Sequence, residues 1–281
     1  IAPADKKLYA LRDVTGTVPS IPLISASIMS KKLAEGIDGL ILDVKVGKGA
    51  FMKDLEQARL LARTLVGIGT RAGKRCRALL TSMEQPLGLA VGNALETIEA
   101  IDVLKGGGPK DLVEVTLELG SRMLVLGECA ETVDDGRKLL IEKIDSGEAL
   151  VSFRKMVEYQ GGDPRVADDY GRFPTANFTA PLEAQSSGWV STIHAEEIGL
   201  STMALGAGRA KAEDDVDPAV GVVFERKVGD RIERGESLLT IHANDEKHFE
   251  MIRQRLLDAI TIEDTEPESK PLVIEEIIGE N

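Results

Sequence analysis

The chain has 281 residues, 43% hydrophobic and 29% charged, so it can bury a substantial core and is long enough for two domains. Its formal net charge of −13 argues against a nucleic-acid surface, because phosphate backbones are held by clustered Lys and Arg. No run approaches the roughly 18 consecutive apolar residues of a membrane span, and no basic stretch followed by an apolar signal opens the chain. The composition predicts a cytoplasmic protein with small-molecule partners, and neither nucleic acid nor membrane.

The first part of the chain alternates helical patterns with short apolar runs. Apolar residues at helical spacing predict a helix over 21–36, which ends at a glycine, and a second over Leu55–Arg71. Apolar runs at Gly39–Val46 and at 77–82 are typical of buried strands. A strand, a helix and a strand in this order predict a βαβ unit and a parallel sheet.

The remaining elements change character near Phe178. Before that point helical patterns dominate, over residues 93–104, 111–126, 137–143 and 146–159. After it β-forming residues cluster, and strands are predicted at 188–193, 220–224 and 272–278. The two cysteines, Cys76 and Cys129, match neither a metal site nor a redox pair, and we expect both to be reduced core residues.

A first group of polar residues follows the start of the chain. Ser27 and Lys31 are four apart on a predicted helix and therefore share a face. With the guanidinium of Arg12 they would form a donor-rich pocket, suited to a planar ligand edged with carbonyl oxygens. Spacing alone leaves an alternative open, in which Arg12 pairs with Asp13 or another surface carboxylate and the other two side chains face solvent.

A second group combines Glu99 with the preceding loop at 85–90. A carboxylate together with loop carbonyls can hold a hard cation, since such ions take oxygen ligands. The alternative is a Glu99 that faces solvent from its helix. The glycine-rich loop at 45–51 is neither a Walker loop nor a dinucleotide fingerprint, so we interpret it as a strand-to-helix connection.

Two long runs carry a resemblance to a known family. LYALRDVTGTVPSIPLISASIMSKKLAEGIDGLILDVKVGKGAFMK (8–53) and QPLGLAVGNALETIEAIDVLKGGGP (85–109) closely resemble the thymidine and pyrimidine-nucleoside phosphorylase family. GVVFERKVGDRIERGESLLTIHA, further along, resembles the end domain of that family more loosely. The resemblance therefore covers nearly the whole chain.

The resemblance implies reversible phosphorolysis, in which a pyrimidine nucleoside and phosphate give free base and a pentose 1-phosphate. It implies that Arg12 and Lys31 bond the carbonyl edge of the base, that Ser27 adds a contact and that Tyr9 shapes the pocket. Phosphate is then a co-substrate, and no organic cofactor is expected. No general acid, base or nucleophile is assigned within this chain.

The resemblance also implies a bound potassium ion and a homodimer. Leu87 and Ala90 would contribute backbone carbonyls to the ion, and Glu99 its carboxylate. The phosphate-binding segment of the family precedes the position of Ile1, and the chain opens there without methionine. We therefore expect a piece of a longer protein that is inactive on its own.

The expected fold class is α/β plus α+β in three parts. They are an incomplete helical lobe (1–36), a mixed α/β sheet domain (37–177) and a C-terminal α+β domain resembling half of a barrel-sandwich (178–281). Because biotinyl and lipoyl carriers use such barrels, a non-catalytic binding or carrier module is an alternative. A structural cap is favoured over a carrier role, because Ala210-Lys211-Ala212 stands in a predicted loop before an acidic stretch and not in the hairpin turn that carriers use. A protein like anthranilate phosphoribosyltransferase is disfavoured, since that relative lacks the C-terminal β-rich domain.

Overall fold

The computed structural model describes residues 2–15, 17, 20–209 and 214–279, without the side chains of Ala10, Asp13 and Val14. The helices, numbered in chain order, are α1 (Pro3–Thr15), α2 (Ile21–Ala34), α3 (Leu55–Arg71), α4 (Asn93–Leu104), α5 (Lys110–Leu126), α6 (Val133–Asp145), α7 (Glu148–Tyr159), α8 (Ala195–Thr202) and α9 (Glu246–Asp258). The strands are β1 (Gly39–Val46), β2 (Arg75–Ser82), β3 (Ala90–Val91), β4 (Phe178–Glu183), β5 (Gly188–Ile193), β6 (Gly221–Phe224), β7 (Arg231–Ile232), β8 (Ser237–Ala243), β9 (Ile260–Glu263) and β10 (Val273–Ile278).

The chain forms two compact units. The first contains residues 1–82, 115–140 and 271–281, and the second contains residues 83–114 and 141–270. This division does not follow the three predicted ranges 1–36, 37–177 and 178–281, which remain a prediction about domains. Each unit has its own hydrophobic cluster.

The first unit is built on the predicted βαβ motif. β1 and β2 pair in parallel from Gly39↔Arg75 to Val46↔Ser82, and α3 connects them. Asp54 caps α3 by accepting a hydrogen bond from the amide of Gln57 at 2.9 Å. Apolar side chains from β1, β2, α2 and α3 fill the core between them, among them Val44, Val46, Leu61, Leu65, Leu80 and Met29. The predicted βαβ unit with a parallel strand pair is confirmed.

The last strand belongs to the sheet of the first unit. β10 pairs antiparallel with β2, which gives the strand order β1-β2-β10 and a mixed sheet. Arg122 on α5 lies 2.9 Å from Glu276 of β10, and Arg59 of α3 lies 2.6 Å from Glu275. The sequence predicted this strand within the C-terminal domain, but its apolar and acidic residues could not reveal that its partner strand is β2.

The second unit contains two antiparallel sheets, of order β3-β6-β8-β4 and β7-β5-β9. Their strands share one core with α8 and α9, in which Phe224, Ile193, Ile198, Leu239 and Ile241 are almost fully buried. Within the described residues neither sheet closes into a barrel. The α+β character expected of the C-terminal region, and the α/β plus α+β fold class, are confirmed.

Two glycines allow β3 and β6 to approach closely. Gly92 and Gly221 have φ angles of 148° and 155°. A Cβ on Gly221 would lie 2.2 Å from the carbonyl oxygen of Val91, and one on Gly92 would lie 2.5 Å from that of Val220. Only glycine fits this crossing, which fixes the start of α4 against β6.

Three further expectations concern single features. Cys76 is buried as predicted, and burial raises the pKa of its thiol, but Cys129 is exposed after the end of α5, so its predicted core position was wrong. Ala210-Lys211-Ala212 lies outside the described residues. Among the residues that the structure does describe, no helix has the length and apolar character that crossing a membrane requires.

Candidate functional site

The first candidate site lies along α1 and α2. Asp5, Tyr9 and Arg12 are at positions i, i+4 and i+7 of α1 and share one of its faces. Arg12 is 6% exposed, its Nη1 donates to the carbonyl oxygen of Leu23 on α2 at 3.3 Å, and its guanidinium carbon lies 5.4 Å from the centre of the Tyr9 ring. A buried guanidinium is therefore held between the two helices beside a half-exposed tyrosine.

Ser27 and Lys31 converge one helical turn further along α2. The ammonium of Lys31 donates to Ser27 Oγ at 3.0 Å, to the Ser27 carbonyl oxygen at 2.5 Å and to Asp5 Oδ2 at 2.5 Å. Ser27 Oγ donates to the same Asp5 oxygen at 3.0 Å. An ammonium has three protons, so a ligand that accepts from Lys31 must displace one of these partners or share a proton with it.

Asp5 completes this cluster and was not predicted. Its pKa is lowered, chiefly by the hydrogen bond from Lys31 and then by that from Ser27, and the charges of Lys31 and Arg12 act in the same direction. The carboxylate therefore lies in the field of both cations. The signal was present in the sequence, since Asp5 stands four residues before Tyr9 and seven before Arg12.

The structure brings the predicted base-binding residues together. The shared face of Ser27 and Lys31 is present as the spacing required, and Arg12 contacts the same helix one turn earlier, at Leu23. The alternative, in which Arg12 pairs with Asp13, concerns the Asp13 side chain, which lies outside the described residues. The role of these side chains in binding a pyrimidine base stays a prediction for Tyr9, Arg12, Ser27 and Lys31.

The second candidate site surrounds Glu99 on α4. Its Oε1 accepts hydrogen bonds from the amides of Leu89 at 2.8 Å and Ala90 at 3.0 Å. Burial is the largest influence on Glu99 and raises its pKa, and nearby Asp111 adds to this, while the two amides and Lys227 oppose it. Glu99 is half-buried and turned to the loop rather than to open solvent. A buried carboxylate of this kind is stabilised by any cation beside it.

The backbone at Ala90 fits the predicted cation ligand set. In an extended strand the N–H and C=O of one residue point to the same side, and the Ala90 amide points to Glu99. Its carbonyl oxygen therefore lies on the same side of β3 as the Glu99 carboxylate. Within the described residues no group of three or more His, Cys, Asp or Glu is arranged to hold a metal.

Lys227 is a second functional candidate that sequence reasoning missed. Its ammonium donates to the carbonyl oxygens of Pro86 and, at 2.6 Å, of Gly88, and it lies 3.2 Å from Asp111 Oδ2. Burial lowers the pKa of Lys227, while Asp111 and then Glu99 raise it. Pro86 is 141 positions away along the chain, so no local spacing could indicate this contact.

Two family models match the chain. "Glycosyl transferase family, a/b domain" matches residues 1–150, which is more than half of the chain, and "Pyrimidine nucleoside phosphorylase C-terminal domain" matches residues 189–263. The second match includes Lys227, and the first includes all the other residues of the two candidate sites.

Curated relatives from Staphylococcus aureus carry the name pyrimidine-nucleoside phosphorylase. Those of strains bovine RF122 / ET3-1 and USA300 are 52% identical over 280 residues, which is 100% of this chain and 64% of each relative. That of strain MSSA476 is 54% identical over 264 residues, 94% of this chain and 61% of the relative. The chain thus spans less than two thirds of the length of these relatives. By its family models and its relatives, the chain belongs to the thymidine and pyrimidine-nucleoside phosphorylase family.

Proposed function

We propose that the protein to which this chain belongs is a pentosyltransferase that phosphorolyses uridine, thymidine or deoxyuridine reversibly to free base and pentose 1-phosphate. The observation that carries the proposal is the convergence of Ser27 Oγ and Lys31 Nζ, 3.0 Å apart, on the face of α2 that the buried Arg12 contacts one turn earlier. The names of the relatives support the same activity. Pyrimidine nucleoside and phosphate are the proposed substrates.

The arrangement suits the departure of a pyrimidine base. When the glycosidic bond breaks, negative charge develops on the base and reaches its carbonyl oxygens. Arg12 and Lys31 are fixed cations that can donate hydrogen bonds to such oxygens, and donors held in place beforehand stabilise the charge without a cost of reorganisation. Ser27 supplies a third donor, and Tyr9 supplies an aromatic surface beside the guanidinium.

Asp5 fits this proposal as a positioning residue. Its carboxylate holds Lys31 Nζ and Ser27 Oγ together through the same oxygen. A carbonyl oxygen of a bound base would accept hydrogen bonds from Lys31 and Ser27 in place of the Asp5 carboxylate or beside it. The carboxylate thus keeps both donors turned to the same position when no base is present.

We also propose a potassium ion held by the carbonyl oxygens of Leu87 and Ala90 and the carboxylate of Glu99. The bonds from Leu89 and Ala90 to Glu99, and the direction of the Ala90 carbonyl, support this set. When bound, potassium would neutralise the buried carboxylate and order the loop. The bond-breaking chemistry is proposed for the residues of α1 and α2.

A cytoplasmic homodimer is proposed on the same family grounds. Sedimentation equilibrium of the purified protein tests the dimer, and fractionation of cells that express it tests the compartment. A single monomeric species across micromolar concentrations would contradict the dimer.

Release of free base tests the activity. Uridine and thymidine are incubated with phosphate and potassium and with either the 281-residue chain or a version preceded by the N-terminal segment of a Staphylococcus aureus relative. We expect base release from the extended protein, none from the chain alone, and loss of release in Arg12→Ala and Lys31→Ala. Lys32→Ala is the matched control, because Lys32 is the next residue of α2 and bonds Glu35 instead.

Failure of the extended protein to release base, although it is folded, would contradict the proposal. The binding-module alternative would then lead. Intact mass spectrometry for a lysine-linked cofactor tests the carrier form of that alternative.

A further inference from the structure

The loop at 85–90 is held by a segment that is distant in the chain but lies in the same unit. Four hydrogen bonds join the loop to residues 224–228. The amide of Phe224 donates to Leu89, the amide of Val228 donates to the side chain of Gln85, and Lys227 donates to the carbonyls of Pro86 and Gly88. We call these residues of β6 and the turn after it the 224–228 segment.

Lys227 is the charged member of this segment. Its side chain is 16% exposed, and all three of its protons can be satisfied by the two carbonyl oxygens and Asp111 Oδ2. Asp111 also accepts a hydrogen bond from the amide of Gly88 at 3.2 Å. The lysine and the aspartate therefore hold Gly88 through both its carbonyl and its amide. A buried ammonium with three oxygen partners is expensive to displace.

The contacts of Lys227 enclose one of the predicted potassium ligands. Lys227 holds the peptide unit before Leu87 through the Pro86 carbonyl and, one unit further on, the Gly88 carbonyl, while its partner Asp111 holds the unit between them, which carries the Leu87 carbonyl, through the Gly88 amide. The next two residues, Leu89 and Ala90, donate their amides to Glu99. The loop is thus fixed by Lys227 in its first half and by Glu99 in its second.

We propose that Lys227 is a positioning residue for the cation site, holding the 85–90 loop so that its carbonyl oxygens and Glu99 present a formed ligand set to a monovalent cation. This inference rests on the potassium binding proposed above. It gives the C-terminal region a role in that site, beyond covering the core. Groups that orient metal ligands without touching the metal commonly change affinity by about 10- to 100-fold when they are removed.

Hydrogen exchange measured by mass spectrometry tests the proposal. Peptides that cover residues 85–99 are followed in the 281-residue chain while KCl replaces choline chloride at constant ionic strength. The wild type is expected to gain protection with rising potassium concentration, which defines a midpoint. Lys227→Met is expected to lose protection at Gly88, Leu89 and Ala90 without potassium and to raise the midpoint about tenfold or more.

Two variants calibrate the result. Lys227→Arg keeps the charge and the donors in a different geometry, and it is expected to fall between wild type and Lys227→Met. Lys247→Met makes the same chemical change at an exposed lysine of α9 and is expected to behave as wild type. Unchanged exchange in peptides from β8 shows that the β3-β6-β8-β4 sheet remains folded.

Each remaining outcome has a definite meaning. A Lys227→Met midpoint within about twofold of wild type would overturn the inference, even with faster exchange, because Lys227 would then only stabilise the loop. A lower midpoint would also overturn it and would identify Lys227 as a competitor of the ion. If the wild type shows no potassium dependence, the potassium proposal itself fails and takes this inference with it. A dependence that Glu99→Gln abolishes and that keeps its wild-type midpoint in Lys227→Met leaves that proposal standing and refutes the role of Lys227.

Discussion

The two candidate sites are built in different ways. The α1–α2 site is composed of residues four and seven apart on two successive helices, and its ion pair between Asp5 and Lys31 is partly exposed. The Glu99 site joins a loop, a helix and a turn that are up to 143 residues apart, and burial is the largest influence on the pKa of both Glu99 and Lys227. Local helix geometry places the groups of the α1–α2 site, whereas the fold of the whole second unit places those of the Glu99 site.

This difference predicts how each site responds to mutation. Loss of a donor in the α1–α2 site should change ligand binding and turnover while leaving the fold intact. Loss of a group in the Glu99 site should change loop order and cation response together, because the same bonds serve both.

Removal of Lys31 should have the largest effect. Lys31→Ala in the extended, active protein is expected to lower kcat by about 100- to 1000-fold, the usual range for loss of one donor that stabilises developing negative charge. The thermal unfolding midpoint of Lys31→Ala should stay close to that of the wild type. In Lys32→Ala both kcat and the thermal midpoint should stay close to the wild-type values. Steady-state kinetics with uridine provides the measurement. A Lys31→Ala enzyme with near-normal kcat would mean that this cluster is structural.

The glycine crossing of β3 and β6 should control the stability of the second unit. Gly221→Ala places a Cβ 2.2 Å from the Val91 carbonyl oxygen at a φ of 155°, and we expect a loss of about 2 to 4 kcal/mol in unfolding free energy. Gly199→Ala is the control, because a Cβ there meets nothing within 4 Å and alanine favours helix α8. Urea unfolding followed by the fluorescence of Trp189 measures both. Equal stability of the two variants would refute the close approach.

The charge of Glu99 should be required for the response to potassium. Glu99→Gln retains an oxygen for the amides of Leu89 and Ala90 but loses the negative charge. At a potassium concentration ten times the dissociation constant, the wild type is expected to gain about 1.4 kcal/mol, and the variant is expected to gain almost none. Thermal unfolding in KCl against choline chloride measures this gain. A full gain in Glu99→Gln would mean that the ion binds elsewhere or does not need this carboxylate.

The smallest expected effect is the acid response of the Asp5 cluster. Because the hydrogen bonds from Lys31 and then Ser27 lower the pKa of Asp5 below its ordinary value, these bonds stabilise the fold above about pH 4, the usual pKa of an aspartate, and this contribution is lost as the pH falls through the folded pKa. Asp5→Asn is expected to remove that part of the acid sensitivity. The measurement is the difference in thermal midpoint between pH 6 and pH 3, compared with Asp134→Asn at an exposed position of α6. An unchanged difference in Asp5→Asn would show that the bonds add nothing measurable, as many exposed pairs do.

Elements that depend on local periodicity could be predicted from the sequence alone. The bounds of β1 and α3 agree with their predicted ranges, and the shared face of Ser27 and Lys31 follows from helix geometry. The family was also evident from the sequence, because its motifs are continuous runs of residues. Asp5 could have been found in the same way, from its place on the face of Tyr9 and Arg12.

Contacts between distant segments could not be predicted from the sequence and became evident in the folded structure. The pairing of β10 with β2 and the contact of Lys227 with the 85–90 loop each join positions more than 100 residues apart, as the separations of 199 for Arg77 and Glu276 and 141 for Lys227 and Pro86 show. An isolated strand pattern or a single lysine is compatible with many partners, because backbone amides and ammonium groups can donate to any carbonyl or carboxylate oxygen that the fold brings near. Burial of the two cores selects one arrangement, and that selection depends on the whole chain rather than on any local pattern.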